Sequence, residues 1–407
     1  MMTRTITLPA LEAYLSHHHN QPVQLIEVRD LSDRTVTAVI DHAASAQSLK
    51  VFGYGRAVLI RYRAGGEERR VVLHTAPANQ FGYENRADRA AGLLLSYDTY
   101  NTLPRHVAAL DVGILIAGDL PAAATEPAQT DTPAPPPARL LSLAKGDEFF
   151  LLSHYVEGKP YAHDLQRLRD GGELAERDLL RAQTLALYLA EIHAVKYPVS
   201  PGQEPAGQHG QNRDALYRRR IRDTVGSGEG IMGLLDSYPA DFPLAGPRWL
   251  EQVEKACVAW RWRIKDRTHR LCQVHGDYHP FNILFSDDED FYLLDRSRGA
   301  WGEAADDVSC LAINYLFFSL QRSGALAPPF RPLWDRFWRT YLERTGDREL
   351  LEVVAPFFVW RALVLASPTW YNTADAVRRA LFRFIEAVLQ QDAFDPDRID
   401  DYLAGPA

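Results

Sequence analysis

Hydrophobic and polar positions follow two different periods in two parts of this chain. Between residues 22 and 75, the runs VQLIEV, TVTAVI, RAVLIRYR and RRVVLHT are β-branched and apolar, with Gly and polar breaks between them, which predicts strands. The Gly65-Gly66 pair between the last two marks a hairpin. Residues 8–19 and 81–97 read as helices, the second with Glu84 near its start. Two further strand-like runs, VGILIAG and EFFLLSHYV, flank residues 121–138 (PAAATEPAQTDTPAPPPA). That stretch is rich in Pro, Ala and Thr and reads as an insertion in a hairpin loop. After residue 160 the period becomes helical, over 173–195, 210–222, 248–269, 306–322, 330–344, 350–366 and 373–390, with a strand-rich interruption at 271–295. Strands first and helices afterwards predict an α+β chain of two unequal lobes. The small antiparallel-sheet lobe spans residues 1–155 and the large, mostly helical lobe residues 156–407.

Composition narrows the partners. A chain of 407 residues is longer than one core usually covers, and its 46% hydrophobic and 24% charged residues are ordinary for a globular protein. The net charge of −8 leaves no basic surplus for nucleic acid and would repel an anionic membrane surface. The start, MMTRTITLPALEAYLSHHHNQP, lacks the apolar core of a signal peptide, and the longest apolar stretches are too short or broken to cross a bilayer. Cys257, Cys272 and Cys310 are too widely spaced for a zinc site or a disulfide framework, so a cytoplasmic setting is expected. His17, His18 and His19 point in different directions around a helix and read as its solvated end.

The informative segment is VHGDYHPFNILFSDDEDFYLLDRSRG, residues 274–299. Its apolar runs NILF and FYLL flank the acidic turn Ser286-Asp287-Asp288-Glu289-Asp290, which predicts a hairpin with a solvated tip. That hairpin brings Asp277, Asn282 and Asp295 to one edge. These residue types suit phosphoryl transfer: one carboxylate orients and deprotonates an attacking hydroxyl, and oxygen ligands hold a magnesium ion against the phosphates.

His275-Gly276-Asp277-Tyr278-His279-Pro280-Phe281-Asn282 resembles the catalytic loop of the aminoglycoside phosphotransferase and choline kinase group, His-Gly-Asp followed by Asn-Ile/Val-Leu. Gly302-Glu303-Ala304-Ala305-Asp306-Asp307 is similar to the Gly-Asp-Pro-x-x-Asp that follows in that family, and Leu189-Ala190-Glu191-Ile192-His193 to its Ala-x-Leu-His helix end. The resemblance implies a two-lobed protein-kinase-like fold and an ATP- and Mg-dependent kinase acting on a hydroxyl of a small molecule: an amino alcohol, a sugar or an aminoglycoside-like compound. It implies Asp277 as catalytic base, Asn282 and Asp295 as magnesium ligands, and His275 and Asp307 as supports of the loop. Phe149 to Gly158 resembles the last small-lobe strand and hinge, where the backbone of His154 and Val156 would meet adenine. Among the aromatic residues of the helical lobe (Trp301, Trp334, Trp338, Trp360, Trp370, Tyr371), the Trp370-Tyr371 pair is expected to touch substrate, and the rest to be core.

The chain departs from the family in its small lobe. The third strand usually supplies a Lys that reaches the phosphates and pairs with a Glu on the next helix. Here His74 stands at that position with Glu84 as its expected partner, and there is no lysine from Val51 to Ala144. Beside Glu84 and phosphate the imidazole is expected to stay protonated, with Arg61, Arg63, Arg70 or Lys50 as alternative cations. The phosphate-covering loop is reduced to the Gly53-x-Gly55 pair. Arg296, after Asp295, would clamp a phosphate or pair with an acid. The missing lysine keeps open a nucleotide-binding pseudokinase acting as sensor or scaffold. A protein kinase is disfavoured, since the large lobe lacks an Ala-Pro-Glu segment and the dozen residues separating Asp295 from Asp307 leave little room for an activation loop.

Overall fold

Strands β1 (Val23–Asp30), β2 (Arg56–Ala64), β3 (Glu67–Thr75), β4 (Ala109–Ile116) and β5 (Gly146–His154) form one antiparallel sheet in the order β1-β2-β3-β5-β4. The computed structural model describes residues 7–31, 56–116, 143–144, 146–198, 212–287, 290–296 and 298–404. The runs TVTAVI and Gly53-Tyr54-Gly55, Lys50, and the insertion at 121–138 lie outside the described residues. β4 and β5, on either side of that insertion, pair with each other as a hairpin requires.

Alternation along β3 gives the sheet two distinct faces. Val71 and Leu73 join Ile60, Tyr62, Phe150 and Leu152 beneath helix α1 (Leu8–His19), whose Leu11 and Leu15 complete that cluster. Val72 and His74 turn to the opposite face, beside Leu151 and Ser153 of β5, and roof a cleft. Helix α2 (Arg86–Tyr100) covers part of this face with Leu93 and Tyr100, packed on Val107, Ala109 and Leu151. α2 begins five residues later than the hydrophobic pattern predicts. The Asn85 amide donates to Asp88 Oδ2 at 3.0 Å, a cap that starts the helix after Glu84 rather than before it.

Beyond β5 lie the short strand β6 (Lys159–Pro160) and helices α3 (Tyr161–Arg169), α4 (Glu176–Ala194), α5 (Arg213–Gly226), α6 (Ile231–Asp236) and α7 (Pro247–Ile264). Strand β7 (Cys272–Gln273), the hairpin β8 (Ile283–Phe285) and β9 (Phe291–Leu293), and β10 (Trp301–Gly302) follow. The chain ends in α8 (Ala304–Ser323), α9 (Phe330–Thr345), α10 (Ala355–Ala366), α11 (Asp375–Gln390) and α12 (Ile399–Ala404). α8 is buried around nearly its whole circumference, from Val308 to Leu320, so the other helices of this lobe assemble about it. The fold is thus the two-lobed, kinase-like α+β arrangement, with a sheet lobe over a helical lobe.

Arg296 ties the lobes together. Its fully buried guanidinium donates to the carbonyls of Val274 (2.7 Å) and Ala300 (3.1 Å) in the large lobe. It also donates to the carbonyl of Thr99 (2.7 Å) at the end of α2 and to Thr102 Oγ1 (2.9 Å). Burial draws its pKa down to about 10, which leaves it charged at neutral pH. It is therefore a backbone anchor, not the phosphate clamp or acid partner expected from its position. Four neutral acceptors arranged around one guanidinium satisfy it without a counter-charge.

Candidate active site

The loop from Val274 to Asn282 is held from behind by Asp307, in the first turn of α8. Its two carboxylate oxygens accept the backbone amides of His275 and Gly276, each at 2.7 Å. His193, from the end of α4, lies 3.3 Å from the same carboxylate and hydrogen-bonds Tyr341 at 2.8 Å. Burial alone would raise the Asp307 pKa, but the hydrogen bond and charge of His193 and the backbone bonds bring it below the ordinary carboxylate value. Gly276 sits at φ +87°, a conformation that a side chain would strain, and this turns the loop toward the cleft. His275 braces the turn from inside. Its Nδ1 accepts the Asp277 amide (3.2 Å), which makes Nε2 the donor to the Leu294 carbonyl (3.0 Å). Burial holds it neutral, with a pKa of about 4.

Asp277, Asn282 and Asp295 come together where two cavities meet. One, of 380 Å3, lies between the lobes and is lined by Val72, His74, Leu151, Val156, Leu284 and Leu294. The other, of 220 Å3, lies in the helical lobe against Phe81, Trp370 and Tyr371. Asp277, Asn282, Asp295, Glu229 and Arg298 line both. Asn282 donates from Nδ2 to the Asp277 carbonyl (3.1 Å), so its amide oxygen is the atom left for another partner. Asp295 adopts φ +57°, unusual for a residue other than glycine. One carboxylate and one amide oxygen on a shared wall suit a hard divalent cation that keeps water and phosphate oxygens as its other ligands. Among the described residues no cluster of three or more His, Cys, Asp or Glu offers a fuller cage.

Two arginines that sequence reasoning missed grip Asp277. Arg361 of α10 donates to Asp277 Oδ1 at 2.7 Å and to Asp306 Oδ1 at 2.6 Å. Arg298 reaches Asp277 Oδ1 at 3.0 Å and Glu229 at 3.5 Å. Burial disfavours the charge on Arg298, but Asp277 and Glu229 more than offset this and hold its pKa well above the ordinary value. Burial likewise raises Glu229, and takes Asp306 up to about 6. Both guanidiniums stack on Trp360, 4.4 and 4.1 Å from its ring centroid. Only Arg298 has a local signal, its place three residues after Asp295. Arg361 and Glu229 lie far from the motif in sequence.

The small-lobe expectations fare differently. His74 hydrogen-bonds Ser153 Oγ at 3.2 Å, and burial lowers its pKa to about 4, so it is neutral at pH 7 rather than a standing cation. Glu84 precedes α2, is exposed, and does not line the cleft; α2 presents Gly92, Leu93, Ser96 and Tyr100 there instead. Both halves of the usual ion pair are thus replaced together. Arg61 is engaged by Glu27 and Glu68, Arg70 by Glu157, and Arg63 does not line the cleft. At the hinge the His154 amide is taken by the Ala108 carbonyl (2.9 Å), whereas the Val156 amide has no acceptor among the described residues. Gly53 and Gly55 lie outside those residues. Trp370 and Tyr371 are buried in the turn after α10, yet they line the second cavity with Trp360, whereas Trp334 and Trp338 pack on Phe358 and Phe394.

The state of His74 has a measurable consequence. The unfolded imidazole protonates below about 6.5 and the folded one only below about 4, so folding stability is lost as pH falls from 6.5 to 4. At pH 5 this amounts to about 2 kcal/mol. His74→Gln, which cannot titrate, is expected to lose that much less than wild type between pH 7.5 and 5 in urea unfolding.

No curated protein matches the chain. Solved structures resemble it with low sequence identity. An amicoumacin kinase in complex with AMP-PNP, Ca2+ and Ami is 12% identical, with TM-score 0.47, covering 90% of this chain and 95% of that one. The aminoglycoside phosphotransferase APH(4)-Ia is 15% identical, with TM-score 0.44 and coverage of 98% and 100%. An ethanolamine kinase of Plasmodium vivax is 11% identical, with TM-score 0.42 and coverage of 99% and 88%. The model of the phosphotransferase enzyme family (APH) matches residues 120–351, more than half of the chain and the whole loop from Val274 to Asn282. The chain belongs to the APH phosphotransferase enzyme family and is a small-molecule kinase.

Proposed function

We propose that the protein transfers the γ-phosphate of ATP to a hydroxyl of a small molecule, with Mg2+ as its metal and the cytoplasm as its setting. One observation carries this reading: Asp277, Asn282 and Asp295 share the wall where an inter-lobe cleft meets a second cavity. The cleft takes the nucleotide, with Val72, Leu151 and Leu284 as apolar walls, the Val156 amide at the adenine edge, and His74 as a neutral lining group. The second cavity takes the acceptor, with Trp370 and Tyr371 against it. Asp277 orients the acceptor hydroxyl and receives its proton. Asn282 and Asp295 hold the metal, which when bound neutralises charge on the phosphates. Arg298 lines both cavities and faces the transferred group, so it supplies the fixed positive charge that the small lobe does not provide through a lysine.

Release of ADP from MgATP, measured over a panel of amino alcohols, sugars, hydroxy acids and aminoglycosides, tests the reading. Turnover must appear with some acceptor and must depend on Asp277. Tight MgATP binding with no turnover on any acceptor would instead favour the pseudokinase, which the neutral His74 and displaced Glu84 motivate. Asn282→Ala is expected to raise the Mg2+ concentration for half-maximal rate at least about tenfold, read from a magnesium titration at fixed ATP. Among the described residues no helix is long and apolar enough to cross a membrane.

A further inference from the structure

Behind the catalytic loop lies a third cavity, of 190 Å3, lined by Arg220, Thr224, Ser227, Gly276, Arg298 and Trp360 among others. It adjoins the acceptor cavity, since Arg298, Glu229 and Trp360 line both. Arg220, on α5, is the unusual member. Its Nε is buried without a hydrogen-bond partner, and among the described residues its guanidinium makes neither a hydrogen bond nor an ion pair. Each acid around it also pairs with another arginine: Asp306 with Arg361, Glu229 with Arg298, Glu303 with Arg270, and Asp223 with Arg219 and Arg222. A cation set into the protein with no hydrogen-bonded partner is costly, and burial lowers its pKa, although the charges of Asp223 and Asp306 oppose that shift. Gly299, at φ +87°, makes room for it: a Cβ there would collide with Arg220 Nη2.

We propose that Arg220 receives an anionic group, a carboxylate or a phosphate, carried by the phosphate acceptor. This rests on the assignment of the second cavity to the acceptor and extends it: the substrate is an anionic alcohol, its hydroxyl at Asp277 and its anion between Arg220 and Arg298. Thr224 and Ser227 add hydroxyl donors to the same cavity. Trp360, the aromatic residue that lines both cavities, already carries the Arg298 and Arg361 guanidiniums 4.4 and 4.1 Å from its ring centroid, so a substrate ammonium there would meet two cations.

The experiment compares acceptors that differ only in the anion: a hydroxy acid against its methyl ester, and a phosphorylated sugar against its parent. The anionic member is expected to be favoured about 100-fold in kcat/KM. Arg220→Met is expected to abolish that preference by raising the acceptor KM, with the KM for MgATP within about twofold of wild type, and Arg220→Lys to restore part of it. Equal use of both members, or an unchanged preference in Arg220→Met, overturns the proposal. Isothermal titration with inorganic phosphate, which needs no transfer chemistry, separates this from the kinase reading. Phosphate binding that is lost in Arg220→Met keeps the anion site even if no acceptor turns over. Phosphate binding through Arg220 combined with acceptors that show no charge preference assigns the site to a free anion and overturns its acceptor role. Without anion, the melting temperature of Arg220→Met is expected to equal or exceed that of wild type. A clear fall marks the guanidinium as structural and sinks the proposal.

Discussion

Asp277→Asn is expected to lower the phosphotransfer rate about 1,000-fold, within the range that a positioned general base contributes. The amide has the same shape as the carboxylate, and its oxygen still accepts from Arg361 and Arg298, which donate to Oδ1 at 2.7 and 3.0 Å. The loop therefore keeps its geometry while the proton acceptor is lost. Asp277→Ala would be a poorer test, because it strips two buried guanidiniums of a shared acceptor and mixes a folding defect with the chemical one. Single-turnover rates with saturating MgATP, together with the melting temperature, separate the two effects. A variant that folds normally and retains a tenth of the wild-type rate would remove Asp277 from the chemistry.

Asp307→Ala is expected to destabilise the protein by about 4 kcal/mol. Three groups lose their acceptor at once: the amides of His275 and Gly276, and the His193 imidazole. Each such loss in a dry site costs about 1–3 kcal/mol, and the pairwise costs overlap because the groups share one carboxylate. That is a large share of the roughly 5–15 kcal/mol that holds a typical domain folded. Asp307→Asn keeps one acceptor and should fall between the two. The sign with pH follows from the lowered carboxylate pKa: its contribution is present above the unfolded value of 3.8 and is lost as pH falls through the lower folded value. Urea unfolding at pH 7 measures the effect, and a loss under 1 kcal/mol would show that the loop is held by other contacts.

Legibility in the sequence followed distance along the chain. Asp277, Asn282 and Asp295 lie within one loop and hairpin, so spacing alone placed them on a common edge. The strands of the small lobe were readable because their runs are β-branched and apolar, as in β3, where Val71, Val72 and Leu73 are buried in succession. The errors came where partners are remote or a local cap overrides periodicity. Phe81 and Tyr83 look like the start of an apolar helix face, but Phe81 packs on Trp370 in the other lobe and the Asn85 cap postpones the helix. That shift removed Glu84 from the cleft. Arg361 stands 84 residues from Asp277 and Glu229 on a different element, so no spacing rule could join them. The tryptophans were equally ambiguous: amphipathic periodicity says that Trp334 and Trp360 are buried, not that one lies in the core and the other in the cavity that Asp277 lines.

Arg296 also constrains how the site can be regulated. It follows Asp295 directly and is fastened to four acceptors on both lobes. A backbone flip that turned Asp295 out of the cleft would pull on that fastening, so it is expected to cost hydrogen bonds on both lobes.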